Sequence, residues 1–74
     1  MTIEEAVQEI QKRIRTVSPQ AEIKTVIISP EEARLSVYAQ SSEMQAIKDA
    51  TFQPILDLLN QHGLDVQVFV YEKM

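Results

Sequence analysis

The stretch "ARLSVYAQ", Ala33 to Gln40, decides the kind of fold because its apolar and polar residues strictly alternate. Successive side chains of a strand point to opposite faces of a sheet, so the stretch predicts a strand that is covered on one face only. The inward row is aliphatic: Ala33, Leu35, Val37 and Ala39. The outward row is Arg34, Ser36, Tyr38 and Gln40.

A second strand is predicted just upstream, from about Ala21 to Ile28, because this stretch is rich in β-branched residues. Ile23 and Ile27 fall on one of its faces and Val26 and Ile28 on the other, so the sequence leaves open which face is inward. The connection is "SPEEA", residues 29–33, in which the fixed φ angle of Pro30 suits the first position of a turn. The two strands are expected to form an antiparallel hairpin.

An amphipathic helix is predicted from residue 2 to residue 17. Its apolar residues recur at steps of four and three: Ile3, Val7, Ile10, Ile14 and Val17. Thr2 and Glu5 have the spacing of a capping box, and Ser18-Pro19 ends the helix. The basic cluster Lys12, Arg13 and Arg15 lies in the second half of this helix, where cations complement the helix dipole.

Downstream, Ser42 and Gln45 again have capping-box spacing and predict the start of a second helix. Its inner face is expected to hold six residues: Met44, Ile47, Thr51, Ile55, Leu58 and Leu59. Pro54 has no N–H for the carbonyl of Ala50, so the helix should either kink near Phe52 or break and restart at Pro54. His62 and Gly63 form an ordinary helix end, so His62 is interpreted as a capping residue and not as a catalytic or metal-binding one.

The chain closes with a strand from Leu64 to about Tyr71, with Asp65, Gln67, Phe69 and Tyr71 in its outward row. The element order is α-β-β-α-β, or α-β-β-α-α-β if the second helix breaks. We expect one α+β domain over residues 1–74, with a three-stranded sheet and both helices on one face.

Composition narrows the functional classes. The 74 residues include no cysteine, which removes disulfides and cysteine-ligated metals and fits a reducing compartment. No stretch reads as a signal peptide or a membrane span, so a cytoplasmic location without membrane contact is expected. The net charge of −4 argues against nucleic acid as a partner. No cofactor or metal site and no catalytic constellation is predicted.

The broken form of the fold resembles three families in its order of elements: KH-type RNA-binding domains of the second type, the C-terminal domain of NifU, and BolA-like proteins. The KH resemblance implies an RNA-clamping Gly-x-x-Gly loop where this chain has Thr51-Phe52-Gln53-Pro54. The NifU resemblance implies Cys-x-x-Cys within the stretch "AQSSEM", residues 39–44, and the BolA resemblance implies histidines and a basic stretch in "EMQAIKDATFQP", residues 43–54. Each of these motifs is missing, so the likeness extends to topology and not to function.

The outer sheet face carries the main functional hypothesis, because alternation places aromatic side chains where polar ones are expected. The candidate interface residues are Val26, Ile28, Tyr38, Phe69 and Tyr71. The favoured function is a non-enzymatic interaction module, either a homodimer or a subunit of a larger complex. One alternative is a KH-like nucleic-acid or ribosome-associated module that uses Lys12, Arg13 and Arg15. Another is that the strands are shorter and more twisted, so that the chain itself covers the aromatic side chains.

Overall fold

The order of helices and strands is α-β-β-α-β, as predicted, in a computed structural model that describes all 74 residues. The elements are α1 (Ile3–Val17), β1 (Glu22–Ser29), β2 (Glu32–Ala39), α2 (Ser41–His62) and β3 (Asp65–Glu72). The sheet order is β1-β2-β3, with β1 antiparallel and β3 parallel to the central strand. The β1–β2 hairpin is therefore followed by a crossover through α2.

The start of α1 is fixed by the predicted capping box. The backbone N–H of Glu5 donates to Oγ1 of Thr2 at 3.1 Å, and the backbone N–H of Thr2 donates to Oε1 of Glu5 at 2.8 Å. The backbone N–H of Thr2, together with the Thr2 side chain, lowers the pKa of the Glu5 carboxyl because these contacts favour its charged form. Two backbone N–H groups at this helix end, those of Thr2 and Glu5, are thereby satisfied.

The start of α2 differs from the prediction. The helix begins at Ser41 after Gln40, whose side chain makes no capping hydrogen bond, so the Ser42–Gln45 capping box is wrong. The Gln45 side-chain amide instead donates to Asp49 at 2.9 Å, one turn further along the helix. The same three-residue spacing is thus a capping box in α1 but not in α2.

Pro54 lies inside α2 without ending it. Of the two alternatives that the sequence left open, the break at this residue, with its α-β-β-α-α-β order, is wrong. An interior proline costs about 3 kcal/mol in an isolated helix. Here α2 is anchored on both sides of the proline, by buried Ile47 and Thr51 before it and by buried Leu58 after it. Packing against α1 and β3 therefore outweighs the loss of one backbone hydrogen bond.

The core is entirely aliphatic. Its 14 members are Ile3, Ala6, Val7, Ile10, Ile14, Ala21, Ala33, Leu35, Val37, Ala39, Ile47, Leu58, Leu64 and Val66. Leu59, which the sequence placed inward, is 45% exposed. All four aromatic residues of the chain lie outside this core. Neither helix is long and apolar enough to cross a bilayer.

Candidate functional site

The hairpin register decides which face of β1 is inward. Ile27 lies opposite buried Ala33, whereas Val26 lies opposite exposed Arg34. Ile23 and Ile27 therefore share the helix-covered face, and Val26 lies on the outer face of the sheet. The structure resolves in this way a choice that the sequence had left open.

Ile28 does not join the outer face as a paired residue. It falls at an irregularity of the ladder, where β1 passes from the Ile27–Ala33 pair to the Ser29–Glu32 pair. Its side chain is 47% exposed, and the residue borders a shallow groove with Ile27 and with Ile3 at the start of α1. Of the five candidate interface residues, Ile28 is thus the one that a β-bulge separates from the others.

The three aromatic side chains of the outer face lie close together on β2 and β3. The rings of Tyr38 and Tyr71 stack, with centroids 5.4 Å apart and planes at 25°. Phe69 lies beside Ser36, one row further along the sheet. We name these residues (Tyr38, Phe69 and Tyr71) the aromatic patch.

Two cations lie over the aromatic patch. The Lys24 amine is 5.4 Å from the centroid of Tyr38, and the Arg34 guanidinium is 5.7 Å from the centroid of Phe69. Both distances are within the range of cation–π attraction. The cations do not cover the rings completely, since Phe69 remains 42% and Tyr71 46% exposed. The aromatic patch is therefore accessible from solvent.

The opposite end of the outer face is acidic. Glu32 and Asp65 are neighbours across β2 and β3, and the Gln67 side-chain amide donates to both carboxylates, at 2.8 Å and 3.2 Å. Glu32 and Asp65 thus lie at one end of the outer face, and Tyr38 and Tyr71 lie at the other end together with Glu22, which pairs with Tyr38.

The basic cluster of α1 is remote from the aromatic patch. Lys12, Arg13 and Arg15 are exposed on a helix that packs against the inner face of the sheet, so they cannot contribute to the outer face. Arg13 forms an ion pair with Glu9 at 3.1 Å, as its i,i+4 spacing predicts. The two candidate sites are therefore separate surfaces, not parts of one site.

His62 is exposed in the last turn of α2 and borders a shallow groove of about 190 Å³ between the two helices. Glu9, Arg13 and Asp57 line the same groove. No group of three or more histidine, aspartate and glutamate side chains is placed to share a metal ion.

Sequence reasoning missed a second apolar surface, on α2. Phe52 is 66% and Leu59 45% exposed, and Leu56 between them is half-buried. Their spacing of four and three residues places them in one stripe, which we name the α2 flank. The sequence does indicate this surface: the stretch "FQPILDLL", residues 52–59, has more apolar residues than a single contact face of a helix can hold.

Comparison of the chain with models of known protein families, with curated proteins and with solved structures finds no match.

Proposed function

We propose that this chain is a small, non-enzymatic, cytoplasmic interaction module that associates with a second copy of itself, with the aromatic patch at the centre of the contact surface. The observation that carries the proposal is the placement of aromatic residues. None of the four lies in the core, and three share the outer sheet face. Phenylalanine and tyrosine are enriched in protein interfaces, whereas the open face of a sheet is ordinarily polar.

The outer face also has the exposure expected of a contact surface. Tyr71 is 46% exposed, and Phe69 remains 42% exposed although the Arg34 guanidinium lies over its ring. When a partner buries an apolar patch of this kind, the complex is stabilised by a free energy of roughly 25 cal/mol per Å² of apolar area removed from water.

Self-association is favoured over a different partner because the two ends of β3 carry opposite charges: Asp65 begins the strand and Lys73 follows its last residue. A two-fold axis across the strands would bring Asp65 of one copy towards Lys73 of the other. The same surface therefore supplies both halves of the contact. The two cations of this face, Lys24 and Arg34, already lie against aromatic rings.

The test is the solution mass of a Phe69→Arg variant. The ring is exposed, so the monomer should stay folded, while a new charge in the contact should abolish association. Gln8→Arg is the matched control, because it adds the same charge at an exposed position of α1. A Phe69→Arg variant that keeps the dimer mass would overturn the proposal, as would a native chain that stays monomeric and is found only with other proteins.

A further inference from the structure

We infer that the second copy docks edge to edge, with β3 pairing antiparallel to the partner's β3 about a two-fold axis at Phe69 and with the α2 flanks of both copies in contact. The inference rests on the self-association proposed above and specifies its geometry. A continuous sheet would then extend through both chains, and the aromatic patches would meet at the seam instead of stacking face to face.

Two backbone hydrogen bonds show which groups of β3 are free. The N–H of Asp65 donates to the carbonyl of Glu31 at 2.8 Å, and the N–H of Lys73 donates to the carbonyl of Ala39 at 2.7 Å. Both N–H groups belong to odd-numbered residues, and both point towards β2. Strand residues direct their backbone groups to alternate sides, so the even-numbered residues present theirs at the free edge. These residues are Val66, Val68, Val70 and Glu72.

This alternation restricts the possible registers of a β3 pair. The backbone groups at the free edge of one β3 strand must face those at the free edge of the other, so even-numbered residues pair only with even-numbered ones. An axis at Phe69 satisfies the rule, because Val68 then lies opposite the partner's Val70 and the two Phe69 residues face each other. The same register places Asp65 opposite the partner's Lys73, which makes two oppositely charged pairs by symmetry. Charge complementarity therefore selects a second copy as the occupant of this edge.

The α2 flank lies on the same side of the molecule as this edge. Pro54, Asp57 and Gln61 border the groove towards α1 and so mark the α1-facing side of α2. At 100° per residue, Phe52 and the rest of the α2 flank lie on the opposite side, away from α1. Since α2 also packs on β3, the α2 flank adjoins the free edge of the sheet, and one contact would bury both.

The other edge of the sheet is better protected against pairing. The edge strand β1 carries a bulge next to Ile28 and a lysine at position 24, two features that natural sheets use to block strand addition. In contrast, β3 runs for eight residues without an irregular register, a proline or a lysine. The unprotected edge is therefore the one beside the apolar α2 flank.

The first test compares two variants by analytical ultracentrifugation. Phe52→Ser combined with Leu59→Ser removes the α2 flank and should weaken the dimer at least about tenfold. Both side chains are exposed in the monomer, so its fold should persist, as far-UV circular dichroism would verify. Val26→Lys is the counterpart on the outer face, distant from β3, and should leave the dimer intact.

The results for these variants distinguish the inferred edge pairing through β3 from the proposed self-association in general. Weakening by Val26→Lys, alone or together with the flank variant, would overturn edge pairing but retain self-association through the outer face. A native chain that is monomeric at every concentration would overturn both.

A cysteine test checks the register itself. The chain contains no cysteine, so Phe69→Cys introduces a single thiol. In the inferred register the two thiols face each other in a non-hydrogen-bonded pair, with Cα atoms about 4.5 Å apart, which permits a disulfide. Mild oxidation should yield a covalent dimer, whereas Val26→Cys should not, although position 26 is the more exposed of the two. Equal cross-linking of the two variants would contradict the register.

Discussion

Gly63 ends α2 in the left-handed region, with φ of 66°. Its N–H donates to the carbonyl of Leu59 at 3.0 Å, and the N–H of Leu64 donates to the carbonyl of Leu58 at 3.2 Å. A Cβ atom at position 63 would meet nothing within 4 Å. The requirement for glycine is therefore set by the backbone angle and not by space.

We predict that Gly63→Ala lowers the free energy of unfolding by about 1 to 2 kcal/mol, the cost of a left-handed alanine. Gly63→Asn should lose less, because asparagine tolerates this region. Urea unfolding of both variants measures the difference. Equal losses in the two variants would show that side-chain contacts, and not the backbone angle, determine the cost.

The capping box of α1 makes a pH-dependent contribution. The pKa of Glu5 is lowered in the folded state, so its stabilising effect is complete above its ordinary pKa and is lost as the pH falls through the lowered value. We predict that Glu5→Gln, which can still accept the hydrogen bond from Thr2, loses less stability than the native chain between about pH 5 and pH 3. Parallel urea titrations at these pH values provide the check; identical slopes would contradict the assignment.

At the scale of elements, α2 shows where local patterns fail. Pro54 and the Ser42–Gln45 spacing both favour interruptions or caps that the helix does not adopt. Core residues on both sides of the proline hold the helix together, and these contacts come from α1 and the sheet, not from neighbours in the chain. The same limit applies to β1, whose aliphatic residues occupy both faces; only pairing with β2 determines which are inward.

Replacing Pro54 should therefore stabilise the protein. Pro54→Ala restores the N–H for the carbonyl of Ala50, and we expect a gain in unfolding free energy of about 1 kcal/mol or more, after allowing for lost packing towards α1. Gln53→Ala, at the exposed neighbouring position, should change stability by less than about 0.5 kcal/mol. A loss of stability in Pro54→Ala would indicate that the proline ring contributes more to the helix contact than its missing donor costs.

At the scale of the whole molecule, alternation in β2 and β3 was sufficient to predict the aromatic patch, because period-two patterns place side chains on a face without reference to distant contacts. The α2 flank could not be predicted in this way. A helix with apolar residues over a wide arc has two candidate inner faces, and only the position of α1 decides between them.

The charge distribution leads to a prediction about nucleic acid. The outer face carries Glu22 beside Tyr38 and carries Glu32 and Asp65 at its other end, and the net charge is −4. We therefore expect no binding of single-stranded RNA in fluorescence anisotropy at low salt. Binding that weakens steeply with added salt, and that is lost when Lys12 and Arg15 are changed to glutamine, would instead support the KH-like alternative.

The most direct test of the central proposal is multi-angle light scattering of the native chain and of Phe69→Arg over a range of concentrations. We predict that the native chain approaches twice its 8.4 kDa mass as concentration rises, while Phe69→Arg remains at 8.4 kDa with an unchanged circular dichroism spectrum. A native chain that remains at the monomer mass throughout, or a variant that dimerises as the native chain does, would contradict self-association through the outer sheet face.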